Sequence, residues 1–197
     1  MRVLVACEFS GVVRDAFAKK GHYAVSCDYL PSERPDGMHH QGNVMDIIDD
    51  RWDLMIAHPP CTYLANSGVQ WLTNQRLNER DRDIRWMRML EACVFFNALL
   101  GANIPRIAVE NPIMHRYAKE RITAPYTQII HPWQHGHEES KRSCYWLKGL
   151  PCLKPSKIVT PVKQTHWLTC DKKDRWKDRS RTLEGIAAAM AEQWSNL

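Results

Sequence analysis

The stretch HPPCTYLANSG, from His58 to Gly68, follows the apolar run DLMIA, so the chain places two prolines and a cysteine at the end of a strand. Pro59 and Pro60 fix φ and remove two backbone donors, which leaves a stiff turn able to hold the Cys61 thiol outward. The thiolate is the reactive form of cysteine, favoured where backbone N–H groups or cations surround it. A packing account also exists, since prolines end strands and cysteine fills space as a small hydrophobe. Further along, VENP sets Glu110 at the end of a second apolar strand, where an acid is costly to bury without a partner or a proton to handle. Such a carboxyl can hold or deliver a proton, or cap a turn with Asn111. ACEFSG, residues 6–11, reads as a strand, a small-residue turn and a helix start, where backbone comes close to a ligand. Asp28 ends the next strand, where a ribose-binding acid or a turn residue would sit.

These residues need strands to hold them. RVLVACE (2–8), HYAVSCD (22–28), DLMIAHP (53–59) and RIAVENP (106–112) read as strands, and VVRDAFAKKG (12–21) as a helix stopped by Gly21. DLMIA hardly alternates, which predicts burial on both faces. A long helix is expected over 78–102, and the spacing of Ile84, Met87, Leu90, Val94 and Ala98 predicts that their face is buried. TQIIHPW and SCYWLKG are later strand candidates, and SRTLEGIAAAMAEQW is a terminal helix. This alternation predicts an α/β fold, a mostly parallel sheet with helices on both faces. Ligands of such sheets bind beyond the carboxyl ends of the strands. Glu8, Asp28, Pro59 to Cys61 and Glu110 all fall there, so the polar candidates converge on one rim.

At 197 residues, with 25% charged and 44% hydrophobic, the chain has the composition of one globular domain. MRVLVACEFSG is too short an apolar run for a membrane span and has no cleavage pattern. Seven cysteines without a CxxC argue against a disulfide framework and for a reducing, cytoplasmic setting. The net charge of +5 permits a polyanionic partner. KRSCYWLK (141–148) and KKDRWKDRSR (172–181), the latter with Trp176 among its charges, suit phosphate contact and base stacking, or equally a solvated charged face. His131, His135, His137 and Cys144 could be drawn as a zinc site, but their spacing fits no ordinary finger, and no metal is expected.

Taken in order, these segments resemble a small DNA (cytosine-5) methyltransferase of the phage or prophage kind. EFSG resembles that family's first cofactor motif, HPPCTYLANSG its Pro-Cys nucleophile loop and VENP its Glu-Asn-Val motif. HEESKRSCYWLKGLP resembles the segment carrying its basic motif, and RTLEGIAAAMAEQW the helix that completes the cofactor pocket. The resemblance implies a Rossmann-like S-adenosylmethionine-dependent methyltransferase fold, with residues 1–197 as a single catalytic domain and DNA as the partner. It implies that Cys61 attacks C6 of a pyrimidine, with Glu110 and Asn111 completing the catalytic set. Glu8, Phe9, Ser10 and Gly11 would line the methionine end of the cofactor, Asp28 the ribose, and Asn43 or Asp46 the adenine, with Pro59 alongside. Pro60, Ser67, Lys141, Arg142 and Ser143 would meet the substrate.

The chain also departs from that pattern. Val12 and Val13 follow Gly11 in place of further glycines, and Asn43 stands where an Asp is usual. Lys141 and Ser143 occupy the places of two arginines, while Arg142, on a strand, faces the other way. Residues 150–179 are too few for an independent domain and read as a short substrate-facing loop in place of a full target recognition domain. That implies low sequence selectivity, a single-stranded substrate, or a protein partner that supplies recognition. Amino-group methyltransferases carry Asp or Asn, two prolines and an aromatic ring; here His58 comes first, Cys61 fourth, and Tyr63 too late. Two other readings share the fold: a non-catalytic nucleic-acid or cofactor-binding protein, and a pyrimidine-C5-modifying enzyme acting on nucleotides.

Overall fold

The strands are β1 (Arg2–Ala6), β2 (Tyr23–Asp28), β3 (His39–Gln41), β4 (Leu54–Ala57), β5 (Arg106–Asn111), β6 (Gln128–Ile130) and β7 (Ser143–Lys148). They come from a computed structural model, which describes residues 1–74, 76–160 and 175–197. The helices are α1 (Val12–Ala18), α2 (Gln70–Thr73), α3 (Glu79–Gly101), α4 (Arg116–Lys119), α5 (Arg175–Ser180) and α6 (Glu184–Trp194). Residues 161–174 of the expected substrate-facing loop lie outside the described residues, as does the Trp176 side chain.

The seven strands form one sheet in the order β3-β2-β1-β4-β5-β7-β6. Pairing is parallel from β3 to β5 and antiparallel between β5 and β7 and between β7 and β6. The β6–β7 hairpin therefore adds an antiparallel edge to the mostly parallel sheet. Strand order reverses at β1, which lies between β2 and β4, and this opens a crevice beyond their carboxyl ends.

Helices cover both faces. Leu4, Ala6, Met55, Ala57, Ile107 and Val109 pack with α3, while Val3, Val5, Leu54, Ile56 and Ala108 pack with α1 and α6. All four residues of β4 are buried, as its lack of alternation implied. β3 is a strand the sequence pattern did not suggest, being short and polar.

The orientation of α3 corrects the sequence-based expectation. Ile84, Met87, Leu90 and Val94 face solvent, with Val94 69% exposed. The buried face carries Met89, Cys93, Phe96 and Leu99 instead. Both stripes keep three- and four-residue spacing, so periodicity alone allows either. The second stripe adds aromatic area to the core: Phe96 meets Trp146 edge-on, their ring centroids 4.9 Å apart. α3 is capped by Asn78, whose side chain accepts the Asp81 N–H at 2.8 Å.

Candidate active site

The turn from β1 into α1 is built on two left-handed residues, Cys7 at φ 58° and Gly11 at φ 70°. Between them Glu8 turns inward, 4% exposed. Glu8 Oε1 accepts the Val13 N–H at 2.7 Å and the Ser10 hydroxyl at 3.2 Å, and Oε2 accepts the Arg14 N–H at 3.2 Å. The carboxylate thus satisfies the open donors at the start of α1. Burial pushes its pKa up, against the opposing pull of His58 and of these donors. With both oxygens engaged, Glu8 shapes the turn, in which the Phe9 carbonyl accepts the Glu33 N–H at 2.8 Å and the Gly11 carbonyl the Asp15 N–H at 3.0 Å.

Beneath the turn lies Arg14, which the sequence reading missed because it sits inside an apolar helical run. It is 1% exposed and hydrogen-bonds Ser26, Ser32 and the Arg34 carbonyl. A Cβ on Gly37 would stand 2.3 Å from the Arg14 guanidinium carbon, so Gly37 keeps the space that the arginine fills.

Asp28 ends β2 on the same rim, half-buried; its Oδ1 accepts the Leu30 N–H at 2.9 Å, and burial pushes its pKa up. The Gly42 N–H donates to the Asp28 carbonyl at 2.9 Å and brings the next turn alongside. There Asn43 Oδ1 accepts the Met45 N–H at 3.1 Å, and Asp46 is exposed.

The Pro-Cys loop leaves β4 beside β5, where Ala57 pairs with Val109. The His58 N–H donates to the Ala6 carbonyl at 2.9 Å, and Asn111 Nδ2 donates to the Pro59 carbonyl at 3.3 Å. The Cys61 carbonyl then accepts the N–H groups of Leu64 and Ala65, at 3.1 and 2.9 Å, which closes a tight turn. Cys61 is half-buried, Pro59 buried, and Pro60 and Ser67 exposed. Asn111 is fully buried, and its Oδ1 has no partner among the described residues.

Glu110 sits beside this loop, half-buried, with His58 Nδ1 3.6 Å from its Oε2. Burial pushes the Glu110 pKa up, but the His58 ring, the Ser143 hydroxyl and the Lys141 charge outweigh it and hold the carboxyl below the ordinary glutamate range. Lys141 and Ser143 thus both act on Glu110, while the charge of Arg142 falls on the Cys144 thiol. This agrees with strand alternation from Tyr145, which pairs with Glu110. The other ring nitrogen of His58 lies 3.4 Å from Thr182 Oγ1, just before α6.

That segment is pinned against the rim. Arg181 makes two bonds of 2.7 Å to Glu33, and Arg34 pairs with Glu184. The Gly185 N–H donates to His137 Nε2 at 2.9 Å, and a Cβ on Gly185 would stand 1.9 Å from the His135 carbonyl oxygen. His135 Nδ1 in turn pairs with the Ser156 hydroxyl at 3.0 Å. HPWQHGH therefore serves as the seat of α6.

A cleft of about 430 Å³ opens next to the Pro-Cys loop, lined by Tyr63, Trp71, Arg85 and Arg88 among others. The Arg85 guanidinium lies 5.0 Å from the Tyr63 ring centroid and donates to the Thr62 carbonyl at 3.3 Å. Trp71 is 42% exposed there. The clue in sequence was the run of arginines opening α3, but only folding sets it against Tyr63.

Among solved structures, the chain is similar to an E. coli protein described as a DNA modification methyltransferase encoded within a prophage. The TM-score is 0.50 and the identity 13%, over 87% of this chain and 56% of that one. A methyltransferase of Entamoeba histolytica, EhMeth, matches with a TM-score of 0.41 and 12% identity, over 84% of this chain and 57% of that one. The chain spans little more than half the length of either. No family model matches it, and no curated protein does. The sheet order and the first of these likenesses define the class: an α/β methyltransferase fold. Among the described residues, no helix is long and apolar enough to cross a membrane.

Proposed function

We propose that the chain transfers a methyl group from S-adenosylmethionine to C5 of cytosine in DNA, through a bond between Cys61 and C6 of the base. One contact carries this reading: Asn111 Nδ2 on the Pro59 carbonyl ties the nucleophile loop to the strand end that bears Glu110. Addition across a C5–C6 double bond needs a nucleophile and an acid at the same crevice.

The residues at the crevice between β1 and β4 fit the cofactor. Cys7 and Gly11 fold the turn over the end of the sheet, Asp28 brings a carboxylate and Asn43 an amide to the adjoining strand ends. The backbone of Phe9 to Gly11 with Ser10 would hold the methionine end, Asp28 the ribose hydroxyls, and Asn43 or Asp46 the adenine edge, with Pro59 beside them. Glu8 contributes by shaping the turn. When bound, the cofactor supplies the methyl group.

Cys61 Sγ adds to C6, and the electron pair released from the C5–C6 bond makes C5 nucleophilic. Glu110 meets the charge that develops at N3 and the exocyclic amine. Loss of the C5 proton after methylation restores the double bond and expels the thiolate. A base inside a duplex must first leave the stack. Tyr63 and Trp71 offer stacking faces to an unpaired neighbouring nucleotide, and Arg85, Arg88, Lys141 and Arg142 offer cations to phosphates. The chain then acts as one catalytic domain over 1–197, cytoplasmic, with target choice weak or supplied by a protein partner.

The tendency of Glu110 to stay ionised also favours a second reading, a pyrimidine-C5-modifying enzyme of nucleotides, because a carboxylate accepts well from the N3–H of uracil. The test is covalent trapping. DNA carrying 5-fluorocytosine, incubated with protein and cofactor, should give a band on a denaturing gel that Cys61→Ala abolishes. No band, with cofactor binding measured by calorimetry, would overturn the DNA reading. A band with 5-fluorodeoxyuridylate instead would establish the nucleotide enzyme, and neither band would mark a non-catalytic binding protein.

A further inference from the structure

We propose that His58 is the proton reservoir of this site, holding on Nδ1 the proton that Glu110 passes to N3 of the target base as Cys61 adds to C6. The inference rests on the cytosine reading above. Formation of the C6–S bond drives an electron pair through the ring onto N3, and the step balances only when N3 gains a proton. N3 of cytosine carries a lone pair and no hydrogen, so an ionised carboxylate facing it has nothing to donate.

Glu110 is a poor place to store that proton. Burial favours its protonated form, yet the neighbouring ring, hydroxyl and lysine outweigh burial and hold the carboxyl below the ordinary glutamate range. The proton must be kept next door. His58 is there: its Nδ1 lies 3.6 Å from Glu110 Oε2, an ion-pair distance that a small side-chain rotation tightens when a substrate docks. Its other nitrogen is steadied by Thr182 Oγ1 at 3.4 Å, which leaves Nδ1 aimed at the carboxylate. The side chain is 9% exposed, so the proton is sheltered from bulk water.

The charged groups facing this pair are Glu8, from the β1–α1 turn, and Lys141, from the β7 side; Ser143 is its further polar neighbour. The proton moves from His58 to the Glu110 carboxyl and on to N3. Once solvent water has taken the C5 proton and the thiolate has been expelled, the methylated base is protonated on N3 and returns that proton by the same route. His58 is restored without any further reactant.

His58→Gln retains hydrogen-bonding groups but holds no titratable proton. Single-turnover methyl transfer to a cytosine oligonucleotide, followed from about pH 5.5 to 9, should give a bell for the unaltered chain, its alkaline limb marking loss of the shared proton. In His58→Gln the rate should fall about 10²–10³-fold, the alkaline limb should vanish, and both KM values should stay within about threefold. An undiminished rate, a surviving alkaline limb, or a loss confined to KM, as a merely structural histidine would give, overturns the proposal.

An unaltered chain that methylates no DNA overturns the cytosine reading instead. The pair is then judged by carbon-13 NMR of the Glu110 carboxyl, whose titration midpoint should rise in His58→Gln. An unmoved midpoint overturns the pairing. His58→Asn serves in both measurements where the glutamine variant fails to fold.

Discussion

Glu8 and Glu110 stand at the carboxyl ends of two strands that flank β4, with His58, the continuation of β4, between them. Both are withdrawn from water, yet their acidities move in opposite directions. Glu8 takes its hydrogen bonds from two backbone N–H groups at the start of α1 and the Ser10 hydroxyl, with the His58 ring adding its pull. Glu110 is held by side chains, from His58, Ser143 and Lys141. Backbone donors neither titrate nor swing away, so the first carboxylate belongs to the scaffold. Side-chain partners can rotate or exchange protons, so the second is free to take part in chemistry. One residue type, at one rim, acquires opposite shifts in acidity from its neighbours.

The largest expected effect separates the two by rate. Glu110→Gln should lower single-turnover methyl transfer by about 10³-fold while costing under about 1 kcal/mol of stability in urea unfolding. If Glu8→Ala, measured at saturating cofactor, lost more rate than Glu110→Gln, the division of roles would collapse. Next comes stability. Glu8→Ala strands two buried N–H groups at the start of α1 and should cost about 2–3 kcal/mol, or roughly 4–12 °C in Tm by calorimetry.

Stability against pH sharpens the contrast through its sign. Glu8, with its folded pKa raised, contributes stability that is complete below the ordinary value of 4.5 and lost as pH rises through the folded value. Glu110, with its folded pKa lowered, contributes stability that is present above 4.5 and lost as pH falls through the folded value. Unfolding midpoints of the two variants, taken against the unaltered chain, should therefore diverge with opposite slopes. Parallel curves would mean that the two carboxylates share one environment. The smallest effect belongs to Thr182→Val, which removes a 3.4 Å contact to His58. A rate loss of about three- to tenfold, with cofactor affinity unchanged by calorimetry, places Thr182 with the movable partners; an unchanged rate places it with the scaffold.

Much of the frame was legible from local pattern. β1, β2, β4 and β5 follow the apolar runs within a residue or two, and the Pro-Cys loop and VENP lie at the strand ends where they were expected. α3 was legible as a helix but not in its orientation. Two apolar stripes with the same spacing run along it, and the choice was made by Trp146 on β7, a partner remote in sequence. Arg14 reads as a surface residue in a helix, and its burial depends on Ser26, Ser32 and the room left by Gly37. Neither His58 nor Thr182 carries a signal of its own, because each gains meaning from the other and from Glu110.

Element types and strand ends come from short-range causes: side-chain period and proline geometry. A reader of the chain alone can recover them. The order β3-β2-β1-β4-β5-β7-β6, the face that α3 buries and the opposite fates of Glu8 and Glu110 come from contacts between residues far apart in sequence. Burial and charge at a buried group are set by whatever lies within a few ångströms in space, and that neighbourhood exists only once the sheet has closed its register.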